Sequence, residues 1–171
     1  MTRRHGSGRL RLCILATATL LAAPAWARDS LGLYATWGAF RDPATPRCYA
    51  LAMAEPSAKR RDYQPYAAIG TWPQRGVRNQ VHIRLSRRLA NDARVVLSLG
   101  TRRFRMVGGG GDAWPATPSD NAAIIAAMRS AERMRVSARD AQGRNFADAW
   151  PLVGAASAMD AAAIGCAQTR G

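Results

Sequence analysis

The sequence is poor in the residues that most often carry chemistry. It holds two histidines, three cysteines and one lysine, and neither a Gly-x-Ser-x-Gly elbow nor a His-Glu-x-x-His helix occurs. A triad or a thiolate-imidazole metal centre has little to draw on, and no catalytic residue, cofactor or metal is expected. Acids are scarce as well: 11 Asp+Glu stand against 25 Lys+Arg, for a formal net charge of +14. The acids show no pairing pattern, although carboxylates distant in sequence can converge in space. An apolar content of 48% argues against a mostly disordered basic chain.

The N-terminus has the three parts of an export signal. A basic start, Met1 to Arg11, precedes the apolar run Leu12 to Ala23. Pro24-Ala25-Trp26-Ala27 then supplies a helix breaker and an Ala-x-Ala site. Residues 1–27 are therefore read as a signal peptide cleaved after Ala27. A buried N-terminal helix fits poorly with four arginines and no acid ahead of the apolar run. Thr2-Arg3-Arg4 hints at the twin-arginine route, but His5-Gly6-Ser7 follows where apolar residues belong, which favours general export. Residues 28–171 are expected to form a single β-rich domain carrying 21 basic and 11 acidic residues, a net +10. No run of about 20 apolar residues remains there, so the processed chain is not expected to span a membrane.

Processing removes Cys13 and leaves Cys48 and Cys166. An even count in an exported chain points to a disulfide, with two free buried thiols as the alternative. His82 is the one histidine left, and its place among outward arginines reads as a solvated strand position.

Period-two patterning dominates the rest. Strands are expected at 33–40, 48–53, 66–72, 77–85, 94–100, 102–107, 133–139 and 145–152. Gly108 to Gly111 reads as a flexible hairpin connection that ends regular structure; Asp112-Ala113-Trp114-Pro115 follows it, unlike a phosphate loop. Helices are expected at 119–130, capped by Ser119, and at 157–164, which delivers Cys166. Asp148 falls on the same side as Phe146 and Trp150, explicable only as an edge position. The composite is mainly β: an antiparallel sandwich or barrel-like domain of about eight strands with two short helices.

Arginine is the one functional-looking feature. Residues 75–105 hold nine arginines and one acid, Asp92. Guanidinium forks pair bidentately with phosphate and carboxylate. Arg78, Arg84, Arg103 and Arg105 are the candidate anion-binding residues, suited to anionic lipid or acidic glycan, with a merely solvated strand face as the competing explanation. Specific nucleic-acid binding is not expected of an exported protein.

Several segments, in order, resemble the invasion-associated locus B family of exported bacterial proteins. These are Trp37-Gly38-Ala39-Phe40 with Arg47-Cys48-Tyr49-Ala50, then Gly76 to Val81 and Asp112 to Pro115. Ala122 to Arg129, Val136 to Gly143, and Gly154 to Ala163 with Cys166 complete the series. The four-glycine run and the central arginine content depart from that pattern. The resemblance implies a disulfide-closed, mostly β envelope protein, periplasmic or secreted, with no catalytic residues. A non-enzymatic protein that binds an envelope or host-surface partner, or an anionic surface, is expected. A secreted inhibitor or adhesin, or an unrecognised carboxylate-based enzyme, is the alternative.

Overall fold

The alternating segments become strands in a computed structural model of the chain, which describes residues 28–167 together with Thr2. The export-signal segment and Cys13 lie outside the described residues, Thr2 apart. Ten strands form: β1 (Asp29–Tyr34), β2 (Trp37–Asp42), β3 (Arg47–Met53), β4 (Tyr66–Trp72), β5 (Val77–Arg84), β6 (Val95–Leu99), β7 (Arg102–Gly109), β8 (Asp112–Pro115), β9 (Arg133–Arg139) and β10 (Asn145–Pro151). Helices α1 (Pro118–Met128) and α2 (Ala155–Ala167) complete the chain. The domain is mainly β, and its strands join one antiparallel sheet in the order β1-β2-β3-β4-β5-β8-β7-β6-β9-β10.

Two strands go beyond the eight expected. The segment 33–40 is not one strand: it breaks at Ala35-Thr36, a two-residue loop that pairs Tyr34 with Trp37. Ala35 takes a left-handed φ of 52° there without the glycine or asparagine that usually marks such a turn. The glycine run also does not end regular structure. Gly108 and Gly109 belong to β7, and the chain turns at once into β8. A Cβ on Gly108 would meet Leu89 and Val95 side chains, and one on Gly111 would meet the Tyr63 ring, so close packing selects glycine at both.

Alternation places one face of the sheet on the core. Val81, Ile83, Leu97, Met134, Val136 and Trp150 are among the fully buried residues. The sheet curls enough for its two ends to approach: the Trp37 indole N–H donates to the Pro151 carbonyl at 2.9 Å, and the Glu55 amide to the Ala149 carbonyl at 2.8 Å. Asp148 is the polar exception on β10. Strand β10 is the last of the sheet, the edge position expected, and the buried carboxylate is satisfied there by accepting the Ser86 amide at 2.8 Å.

Helix α1 starts with Thr117, not Ser119: the Thr117 hydroxyl accepts the Asp120 amide at 3.0 Å. It covers the place where β8 ends beside β5. Asn121 there stands in for a missing strand neighbour, accepting from the Val81 amide and donating to the Asn79 carbonyl, each at 2.9 Å. Helix α2 lies over β1, β2 and β3 on a stripe of Ala155, Ala158, Met159 and Ala162. Gly165 lets it settle on Leu31, whose Cδ1 would be 2.4 Å from an added Cβ. The stripe ends in Cys166, which is disulfide-bonded to Cys48 on the core face of β3, with Cα atoms 5.6 Å apart. The expected bridge is present.

The turn between β9 and β10 is organised by Asp140, which is fully buried. Its carboxylate accepts the Gln142 and Arg144 amides at 3.0 and 2.9 Å and the Arg87 and Arg144 guanidiniums at 3.0 Å. Burial by itself would raise its pKa; the Arg144 amide and guanidinium and the Gln142 amide outweigh it and hold the carboxyl below its ordinary 3.8.

Candidate functional site

The strand order creates a basic surface that no contiguous stretch of sequence contains. On the face away from the core, β6 presents Val96 and Ser98 between two arginine-bearing neighbours. Arg105 pairs across to Val96, which pairs with Ser137. Arg103 pairs across to Ser98, which pairs with Arg135. Arg139 follows two residues beyond Ser137 on β9, and Arg94 precedes β6; both line, with Arg135, an open cavity of about 620 Å³. Lys59 reaches this cavity from the loop after β3, and Asp92 is the one acid on its lining.

The five arginines 94, 103, 105, 135 and 139 are exposed, and none has an ion pair or guanidinium hydrogen bond among the described residues. Other arginines of the fold are tied to acids. Arg41 holds Asp29, Arg47 holds Asp42, Arg87 and Arg144 hold Asp140, Arg129 holds Asp160, and Arg133 holds Glu55. Rows two strands apart lie about 10 Å from each other, close to the Debye length at physiological salt. Like charges at that spacing repel, and small residues between them leave room for anions to lie in the rows. Bound phosphate, sulfate or carboxylate oxygens would relieve the repulsion through bidentate contacts.

The four residues singled out from sequence separate in space. Arg103 and Arg105 share the face just described. Arg84 lies on β5, across β8, where its guanidinium donates to Asp112 at 2.5 Å and sits 4.0 Å from the centre of the Tyr63 ring. Arg78 lies at the bulge where β5 meets β4, on a different cavity bordered by Arg41, Asp42 and the disulfide. Sequence reasoning missed Arg94, Arg135 and Arg139. The alternation Arg133-x-Arg135-x-Ser137-x-Arg139 was a usable signal, but its partnership with β7 passes through β6 and has no trace in local sequence.

His82 is not the solvated residue its neighbours suggested. It is half-buried, its Nε2 lies 2.9 Å from an Asp112 carboxylate oxygen, and its ring stacks on Trp114 with centroids 5.2 Å apart. Among the described residues no hydroxyl or thiol hydrogen-bonds to this pair; the second Asp112 oxygen is taken by Arg84. No group of three or more His, Cys, Asp or Glu side chains suited to a metal ion occurs among the described residues. No helix of the described residues is long and apolar enough to cross a membrane.

No protein-family model, no curated protein and no solved structure matches this chain.

Proposed function

We propose that the protein is an exported, non-enzymatic binding domain of the cell envelope that docks on an anionic surface through its arginine face. In this reading residues 1–27 are the export signal, the curled sheet is a barrel-like scaffold, and the processed chain works in the periplasm or outside the cell. The sequence resemblance to the invasion-associated locus B family and the Cys48–Cys166 bridge support that compartment. The observation that carries the binding role is the set of five arginines, without partners among the described residues, on β7, on β9 and just ahead of β6 between them. A two-dimensional array of guanidiniums complements anions displayed in a plane, as lipid headgroups are. Each basic side chain near an anionic membrane contributes about 1 kcal/mol.

Co-sedimentation of residues 28–171, oxidised, with vesicles tests this. Vesicles containing phosphatidylglycerol should retain the protein, phosphatidylcholine vesicles should not, and salt should release it. Equal retention on both vesicles, or indifference to salt, would reject the anionic surface. Stronger retention on immobilised dextran sulfate than on phosphatidylglycerol vesicles would assign the same chemistry to acidic glycan instead.

A further inference from the structure

The opposite flank of the outer sheet face carries a second surface of different chemistry. Strands β3, β4, β5 and β8 each have a paired neighbour on both sides. Across them run two rows of side chains pointing away from the core. In one, Tyr49 pairs with Gly70 and Gly70 with Gln80; in the other, Leu51 pairs with Ala68 and Ala68 with His82. Trp114 extends the second row, stacked on His82. The middle of both rows is glycine and alanine, so the surface sinks there into a groove of about 480 Å³. Trp72 lies along its floor: a Cβ on Gly70 would be 2.5 Å from the indole, so only glycine admits the ring. Tyr49 is backed by Phe40 at 5.5 Å between centroids, and Tyr66 meets His82 edge-on at 5.6 Å.

We propose that this groove binds a saccharide bearing a carboxylate. Three observations select that class. Strands β3 and β4 are paired along both edges, and on β5, which pairs with β8 only at Ile83 and Arg84, Asn121 occupies the Val81 amide and the Asn79 carbonyl, so little open backbone edge is left for a peptide to join as a strand. What the groove offers is the part-exposed rings of Trp72 and Trp114, which attract the polarised C–H groups of a pyranose, beside the Gln80 amide and the Tyr66 hydroxyl for its oxygens. The charge is unbalanced toward the positive. Arg28 and Arg47, both on the lining, share the single carboxylate of Asp42, while Arg84 balances Asp112, which leaves one cation beside the groove without its own carboxylate. A carboxylate on the ligand supplies the missing charge through a guanidinium fork.

Tryptophan emission reads the site, because Trp72 and Trp114 line it while Trp37 and Trp150 are fully buried. The probes are trigalacturonic acid and its methyl ester, titrated into the folded, oxidised protein. The acid should shift the emission and bind about tenfold more tightly than the ester. Trp114→Ala should weaken it about tenfold, and Gln80→Ala, an exposed change that leaves the rings in place, should weaken it measurably too. Arg103→Glu with Arg135→Glu should bind the probe like wild type, which separates this site from the arginine face. Absence of any shift with trigalacturonic acid, equal affinity for acid and ester, or undiminished binding by the Gln80 variant would overturn the proposal. So would loss of binding in the arginine-face variant.

Discussion

Replacing Cys48 and Cys166 with serine should destabilise the protein by about 5 kcal/mol. The bridge spans 118 positions of sequence, and the chain-entropy relation gives roughly 16 cal/mol/K for a loop of that size, about 5 kcal/mol at 25 °C. Little else compensates for its loss. The buried stripe of α2 is mostly alanine, with Met159 the only large side chain ahead of Cys166. Domains are stable by about 5–15 kcal/mol in total, so the bridge supplies a third or more of the margin. Urea unfolding of residues 28–171 measures this directly. At an m-value of about 2 kcal/mol/M, the midpoint should fall by roughly 2–3 M in the double variant. Wild type in reducing agent should fall to the same midpoint, and the variant should not respond to reductant. Coincident midpoints for oxidised wild type, reduced wild type and variant would refute the reasoning and show that α2 docks without help from the bridge.

Other perturbations test other parts of the fold. Asp148→Ala removes the acceptor for the buried Ser86 amide and should cost about 1–3 kcal/mol in equilibrium unfolding. Gly154→Ala should cost more than about 2 kcal/mol, because φ is 88° there and the new methyl would lie 2.0 Å from the Tyr34 carbonyl oxygen. Acid should destabilise the protein through Asp42 and Asp140. The Asp42 carboxyl is lowered by the Thr45 amide against the cost of burial, with Arg47 and Arg28 adding to the effect; Asp140 is lowered by its turn. A carboxyl with a depressed folded pKa stabilises above its unfolded value of 3.8 and loses that contribution as pH falls through the folded value. The melting temperature should therefore hold above pH 4 and drop below it, and Asp140→Asn should flatten that drop while lowering the plateau at neutral pH.

Where side-chain alternation alone decides structure, the sequence is readable to the residue: Tyr66–Trp72 and Arg133–Arg139 form as their patterns indicate. It fails where geometry is set from outside the segment. The Ala35-Thr36 turn has no glycine to mark it, because the register of β1 on β2 and the contact of Tyr34 with Gly154 impose the bend. Four-residue β8 is too short to alternate convincingly and exists because β5 and β7 leave a gap for it. The same limit applies to the sites. Arginines close in sequence, such as Arg84 and Arg103, end on different strands with different partners, whereas Arg103 and Arg135 meet only through the pairing of β6 with both β7 and β9. Tyr49, Tyr66 and Trp114 are far apart in the sequence, and a groove appears only once Gly70 and Ala68 are set between them.

The role of the arginine face is tested most directly by measuring vesicle partitioning of the Arg103→Glu, Arg135→Glu double variant beside Arg78→Glu. Two lost cations and two added anions near a phosphatidylglycerol surface amount to about 4 kcal/mol. The double variant should partition about a thousandfold more weakly than wild type, with Arg78→Glu, off that face, falling by no more than about tenfold. Equal losses from both variants, or no loss from the double one, would contradict a binding site on β7, β6 and β9.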